Sequence, residues 1–261
     1  MNRVAGKVAI VTGGVRGIGR ADALLLAQEG ARVIVTDVDE TGGRALAAAG
    51  GIEFVRHDVR DAAGWDALVK DVVRRHGRLD VLVNNAGVIH VGDPLTSDSE
   101  EWRHMFGVNV DGMMLGCKYA IPAMIDSGGG SIINMSSIAA KSGLYFYAGY
   151  CATKGAIAAY TKAVAVYCAQ NRLHIRCNSI HPGGIDTPIN AGLEAELATR
   201  MAGMRLPPQS AVSADSPKMR LGEPNDIGYA VVYLASDESK FMSGAELYID
   251  NTSTITAAIV A

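Results

Sequence analysis

Lys7-Val8-Ala9-Ile10-Val11-Thr12-Gly13-Gly14-Val15-Arg16-Gly17-Ile18-Gly19 is the stretch on which the fold of this chain turns. Its first six residues form an apolar run without polar alternation, the pattern of a strand covered on both faces. A glycine-rich turn follows at once. From residue 18 to 29, Ile18, Ala21, Leu24 and Leu25 fall at helical spacing, and Gly30 can close the helix in the left-handed conformation. A glycine loop between strand and helix suits a phosphate. Gly13 permits the turn, Gly17 lets backbone approach a pyrophosphate, Gly19 lets helix pack closely on strand, and the helix N-terminus faces the anion. The spacing is G-x-x-x-G-x-G rather than G-x-G-x-x-G, a weak signal in isolation that a tight turn also explains. Set between strand and helix, it makes Gly13, Arg16, Gly17, Ile18 and Gly19 a candidate dinucleotide cradle.

The same alternation continues outward. Residues 32–36, 52–57, 81–83 and 131–135 read as further strands, and Trp65, Leu68, Val69, Val72 and Val73 as the inner face of a helix. Apolar strands alternating with helices predict one α/β domain over residues 1–261: a Rossmann-type, doubly wound parallel sheet with helices on both faces and right-handed crossovers. Ligands of such sheets sit outside the carboxyl ends of the strands. Asp37 stands at such an exit, 18 residues past Gly19. A carboxylate there can accept both ribose hydroxyls of an adenosine and repels a 2′-phosphate. Arg16 pulls the other way, because it could pair with that phosphate. Asp37 outweighs it, since its charge lies where the phosphate must go, and the expected cofactor is NAD.

Composition narrows the classes. The chain has 261 residues, 49% apolar and 20% charged, with a formal net charge of −3. No basic block suggests nucleic acid, and no uncharged apolar run is long enough to span a membrane. The first residues lack the apolar stretch of a signal peptide. Cys117, Cys151, Cys168 and Cys177 show neither zinc nor redox spacing, which points to reduced thiols in a cytoplasmic protein. The histidines lack metal-ligand partners at any recognisable spacing.

The chemistry gathers past the middle. Tyr150 and Lys154 are four apart in a helical stretch and share a face, and Ser137 precedes Tyr150 by 13 residues. Free tyrosine, with a pKa of about 10, is a poor base near neutrality. An ammonium ~5 Å away at an effective dielectric of about 20 favours phenolate by roughly 3 kcal/mol, on the order of two pK units. Tyr150 could then take a proton from an alcohol or give one to a carbonyl, while Ser137 hydrogen-bonds the same oxygen. Alone, such a Tyr/Lys pair is an ordinary surface contact; with the glycine loop and Asp37 in the same chain it is a catalytic candidate.

These motifs resemble the short-chain dehydrogenase/reductase family from about Gly6 to Asn251. Thr12–Gly19 is similar to its T-G-x-x-x-G-x-G, and Asn84-Asn85-Ala86-Gly87 to its N-N-A-G. The resemblance implies that Asp58 and Val59 contact adenine, that Asn85, Ala86 and Gly87 border the cofactor, and that Asn109 positions a proton-relay water. It implies that Lys154 also holds the nicotinamide ribose. In Pro182-Gly183-Gly184-Ile185-Asp186-Thr187, Ile185 and Thr187 would contact the carboxamide. A seven-stranded sheet, hydride transfer with nicotinamide, and a homotetramer built partly on long helices near residues 99–125 and 147–170 are further implications. One departure stands out: the family often ends its seventh strand with Asp-Gly-Gly, and here the chain reads Asp250-Asn251-Thr252. The role of the uncharged tail to Ala261 stays open.

Residues 188–221 are expected to form a lid, with Ile189, Leu193, Leu197, Met201, Met204 and Leu206 as an apolar stripe that reads as core packing or as a pocket wall. Tyr145, Phe146 and Tyr147 add aromatic surface, and no basic cluster awaits a phosphate or acyl carrier. The expected substrate is an apolar, cyclic secondary alcohol or its ketone. Arg56-His57-Asp58-Val59, Ala148-Gly149-Tyr150 and Asn178-Ser179-Ile180-His181-Pro182 resemble bacterial 3β/17β-hydroxysteroid and cyclic-alcohol dehydrogenases. His181 reads as structural, beside the turn at Pro182. Two alternatives remain: an NADPH-linked 3-oxoacyl reductase of fatty-acid synthesis type, and a non-catalytic NAD-sensing regulator. Intact Ser137, Tyr150 and Lys154 argue against the second.

Overall fold

Segments four to eight residues long, most of them rich in apolar side chains, become the strands of a computed structural model that describes residues 2–190 and 221–255, with Leu193, Glu196 and Thr199. The strands are β1 (Val8–Thr12), β2 (Arg32–Asp37), β3 (Ile52–Arg56), β4 (Val81–Asn84), β5 (Gly130–Met135), β6 (Ile175–Pro182) and β7 (Glu246–Ile249). They form one seven-stranded sheet in the order β3-β2-β1-β4-β5-β6-β7. Every pairing is parallel.

The helices are α1 (Gly17–Gln28), α2 (Glu40–Ala48), α3 (Ala62–His76), α4 (Ser99–Phe106), α5 (Gly112–Asp126), α6 (Ala148–Gln170) and α7 (Pro224–Ala235). Alternate residues of each strand feed two separate cores. Ala9, Val11, Val33, Val35, Val83 and Ile133 pack with α1 and α7. Val8, Ile10, Ile34, Leu82 and Ile132 pack with α3, α5 and α6. This is the physical reason the central strands β1 and β4 lack polar alternation: neither face sees water.

Local chemistry ends the helices where expected. Asp61 caps α3 by accepting from the Ala63 amide, and Gly77 closes it at φ +77 behind Arg74 and Arg75. Gly30, at φ +92, follows α1. Glycine-like turns also occur without glycine: Asn251 and Thr252, in the departure from Asp-Gly-Gly, take φ +45 and +70. α4 and α5 are one continuous rod interrupted by a π-helical turn, Gly107–Asp111. Asp22, fully buried in α1, has no hydrogen-bond partner on either oxygen, and burial pushes its carboxyl well above the usual range.

The strand order reverses at β1, so the connections after β1 and β4 leave in opposite directions. Their carboxyl ends open the crevice in which such sheets hold ligands. Among the described residues no helix is long and apolar enough to cross a membrane.

Candidate active site

The floor of the crevice is a hydrogen-bonded clamp between the exits of β1 and β4. Thr12 Oγ1 accepts the amides of Asn85 and Ala86, each at 3.0 Å. Asn85 Nδ2 donates to the carbonyls of Thr12 (2.9 Å) and Gly13 (3.0 Å). Gly13 sits at φ +61, and a Cβ there would lie 2.8 Å from the Ala86 Cα. A Cβ on Gly19 would fall 2.3 Å from Asn85 Nδ2. Gly19 therefore makes room for the clamp as well as for the close approach of α1 to the backbone at the end of β1, where the Gly13 carbonyl oxygen would lie 2.5 Å from such a Cβ. Asn85 contributes chiefly as a brace for the loop, a role that spacing alone did not reveal.

Asp37 ends β2 and lines the crevice; its Oδ2 accepts the Val15 amide at 3.3 Å and its Oδ1 the Asp39 amide at 3.1 Å. A carboxylate has about four acceptor positions, so capacity remains for hydroxyl donors. Arg16, immediately before α1, lines the same end. Asp58 is already forked to Arg60, with Nη2–Oδ2 at 2.6 Å and Nε–Oδ1 at 3.0 Å, and the guanidinium holds its carboxyl down to about 2. Val59 is buried, and its carbonyl accepts from Trp65 Nε1 at 2.8 Å.

The other end of the crevice is built on α6. Tyr150 and Lys154 share its inner face, with Nζ 5.3 Å from the phenol ring centre. Lys154 is buried, and its Nζ donates to the Met135 carbonyl at 2.8 Å, which anchors α6 to the end of β5. Ser136 Oγ donates to the Lys154 carbonyl at 2.9 Å. Ser137 follows directly; its Oγ accepts the Ala139 amide at 3.1 Å, and it lines the same cleft as Tyr150. Asn109 lies in the π-turn, buried; its Nδ2 donates to Thr153 Oγ1 at 3.1 Å and ties the rod to α6.

Burial dominates the titration of this pair. It pushes the Tyr150 phenol up to about 12, against the opposing influence of the nearby Ser137, and pulls Lys154 down to about 8. The ammonium lies beside the phenol ring, yet burial rather than attraction for phenolate sets the titration of Tyr150. The resting phenol keeps its proton at neutral pH, poised as an acid.

These residues surround one cleft of about 650 Å³. Gly17 and Ile18, Ala86 and Gly87, and Pro182, Gly183, Ile185 and Thr187 line it together with Asp37, Asp58, Val59, Ser137, Tyr150 and Lys154. Of the residues singled out from sequence, Gly19 and Asn109 stand behind the wall. Tyr147 lines the cleft, whereas Tyr145 is exposed and lies on Phe146, ring centres 3.8 Å apart. His57, of the Arg56-His57-Asp58-Val59 stretch, also lines it, as do Arg60, His104 and Leu144, which no motif marks. Ile189 and Leu193 of the expected lid do so too; most of that segment and the end of the tail lie outside the described residues. The described residues contain no cluster of His, Cys, Asp or Glu fit for a metal ion. A nicotinamide dinucleotide fits this arrangement. The glycine backbone at Gly13 packs too tightly for any side chain to block the floor, the N-terminus of α1 opens on the cleft, and a carboxylate waits at the far end.

Comparison with known proteins agrees. A family model described as enoyl-(acyl carrier protein) reductase matches residues 13–252. The chain is 42% identical over 256 residues to the 3-beta-hydroxysteroid dehydrogenase of Comamonas testosteroni, covering 96% of this chain and 97% of that protein. It is 41% identical to the NADP-dependent (R)-specific alcohol dehydrogenase of Lentilactobacillus kefiri, covering 95% and 97%. It is 40% identical to the trans-4-hydroxycyclohexanecarboxylate dehydrogenase of Sinomonas cyclohexanicum, covering 97% and 95%. The chain belongs to the short-chain dehydrogenase/reductase family, whose members use a nicotinamide cofactor. It is an oxidoreductase of the alcohol dehydrogenase type.

Proposed function

We propose that the protein is an NAD-linked dehydrogenase of apolar cyclic secondary alcohols, hydroxysteroids and alicyclic alcohols, working reversibly on the corresponding ketones. The observation that carries this reading is the placement of Tyr150, Lys154 and Ser137 in the same cleft as Asp37. The relatives named for a steroid and for a cyclohexane carboxylate support the substrate class.

Bound nicotinamide supplies the hydride acceptor or donor. Tyr150 donates its phenolic proton to the substrate oxygen in reduction and takes it back in oxidation. Ser137 hydrogen-bonds that oxygen and holds it against the phenol. Lys154 offsets the phenolate charge and hydrogen-bonds the nicotinamide ribose. Both Nδ2 hydrogens of Asn109 are spent on Val88 and Thr153, so its side chain has no donor left for a relay water. Asp37 accepts the adenosine ribose hydroxyls, the loop Gly13–Gly19 receives the pyrophosphate, Asp58 and Val59 border adenine, and Ile185 and Thr187 meet the carboxamide.

A second reading, an NADPH-linked 3-oxoacyl reductase, draws on Arg16 at the adenosine end and on the NADP-dependent relative. Asp37 opposes it. A panel of steroid alcohols, cycloalkanols and 3-hydroxyacyl esters, each with NAD and NADP and followed at the reduced-nicotinamide absorbance, separates the two. The expected result is the highest kcat/KM for a cyclic alcohol with NAD; a preference for acyl esters with NADP overturns it.

The proposal extends to assembly: a single domain with its lid at 188–221, forming a cytoplasmic homotetramer through α4–α5 and α6. Exposed Val166 and Tyr167 on α6 support that interface, and four unpaired cysteines support a reducing compartment.

A further inference from the structure

We infer that His181 is a positioning residue for Ser137, fixing the backbone of that residue through a hydrogen bond from Nδ1 of a neutral imidazole. The inference rests on the proposed role of Ser137 as the partner of the substrate oxygen. His181 is fully buried in β6 and does not line the cleft, so it acts only through its neighbours. Its Nδ1 lies 3.1 Å from the Ser137 carbonyl oxygen. A carbonyl can only accept, so Nδ1 carries the hydrogen. Nε2, 2.9 Å from Ser179 Oγ, is then the acceptor for that hydroxyl, and the ring has both nitrogens satisfied without a charge. Burial, which pulls the His181 pKa down, favours the same neutral form.

The imidazole is itself held from β7. Tyr248 lies against it, ring centres 4.5 Å apart, and donates its hydroxyl to Glu246 at 2.7 Å. Glu246 is neutralised by Lys162 at 2.5 Å, and its nearer oxygen stays 3.9 Å from His181 Nε2. The Lys141 ammonium sits 5.2 Å from the centre of the Tyr248 ring. Lys141 closes the short turn Ile138–Ala140 that Ser137 opens by accepting the Ala139 amide at 3.1 Å. Tyr248 thus buttresses the turn at one end directly and at the other through His181, which fixes the backbone from which Ser137 meets the cleft that Tyr150 also lines.

A double-mutant cycle with Ser137→Ala tests this. His181→Leu should lower kcat about 5- to 30-fold, the scale of one hydrogen bond with its orphaned carbonyl, and leave the dissociation constant of the dinucleotide within about 2-fold. In the Ser137→Ala background the same change should cost less than about 2-fold, because there is no hydroxyl left to aim. His181→Asn, whose amide can reach the same carbonyl, should recover most of the loss. Equal losses in both backgrounds mean a merely structural role and overturn the inference. A loss in Ser137→Ala with none in His181→Leu overturns it too, and leaves the Ser137 role standing. No loss in Ser137→Ala removes the reading on which it rests. Nitrogen-15 spectra of the unsubstituted protein give a check independent of activity and of variant folding. An Nδ1-protonated neutral ring at pH 7 supports the inference, and an Nε2-protonated or doubly protonated ring overturns it.

Discussion

Asn109 and Val88 hydrogen-bond each other in both directions: the Val88 amide donates to Oδ1 at 2.8 Å, and Nδ2 donates to the Val88 carbonyl at 2.9 Å. The pair joins the segment after β4 to the π-turn between α4 and α5, and the second Nδ2 hydrogen reaches Thr153 on α6. Asn109→Ala would orphan the backbone donor and acceptor of half-buried Val88 together and empty the buried place of the Asn109 side chain. It should cost about 2–4 kcal/mol in urea unfolding and lower kcat as well. A loss below 1 kcal/mol, roughly that of a surface change, would show that the π-turn stands without this pin.

Tyr150→Phe removes only the proposed proton carrier. Turnover should fall about 10²- to 10⁴-fold, while dinucleotide binding by fluorescence titration stays nearly unchanged. With the phenol pushed up to about 12 in the free protein, reduction should vary little between pH 6 and 9 through this group, while oxidation should speed up with pH. An oxidation rate that declines across that range would contradict the assignment.

Lys154 gives a stability test. Its folded pKa is about 8 against an ordinary 10.5, so between those values the unfolded chain binds the extra proton. Stability attributable to this group should therefore rise as pH climbs from about 8 to 10.5, by ~3 kcal/mol in all. Comparing urea midpoints of wild type and Lys154→Met at pH 7.5 and 10 isolates it. The same slope in both proteins would mean that Lys154 is not desolvated.

Asp22 behaves oppositely. Its raised folded pKa means that the native protein keeps a proton the unfolded chain has released, so stability falls as pH rises above the ordinary carboxylate value. Asp22→Asn removes the ionisable group at nearly constant shape. The variant should be more stable than wild type at pH 8, by about 1–3 kcal/mol, and the advantage should shrink towards pH 5. A destabilised variant at both pH values would mean that the carboxyl has a partner it needs.

Asp37→Ser tests cofactor choice. Removing a carboxylate ~5 Å from a 2′-phosphate relieves roughly 3 kcal/mol of repulsion at an effective dielectric of about 20, on the order of 100-fold. The ratio of kcat/KM for NADP over NAD should rise by a factor approaching that size. An unchanged ratio would place recognition of the ribose elsewhere, with Arg16 first to be examined.

Much of the sheet was legible because its strands are apolar on both faces: Val8–Thr12 and Arg32–Asp37 announce themselves as unbroken runs. β6 does not, since Asn178, Ser179 and His181 interrupt it, each satisfied by a partner that no local pattern displays. β7 is four half-buried residues, too short to show a period. The candidate site could be named from spacing because helical and strand geometry fix what lies at an exit or one turn apart. Spacing could not tell which of two jobs a side chain does. Asn85 braces the loop and Asn109 is pinned by Val88 through contacts made across the chain, and Asp58 is engaged by Arg60 two residues on. Nor could it show the π-turn, whose sequence reads as ordinary helix.

The reversal of strand order at β1 carries a consequence for how such a protein diversifies. A crevice that arises where two connections part company needs no hollowing of either packed layer, so both cores stay intact beneath it. Its walls come from Val88, Ile89, Leu144 and Tyr147, in segments between the regular elements, while Lys154 is bolted to the strand ends below. Selection can retailor what enters by exchanging the walls, at little thermodynamic penalty, and leave the machinery that handles the proton as it found it.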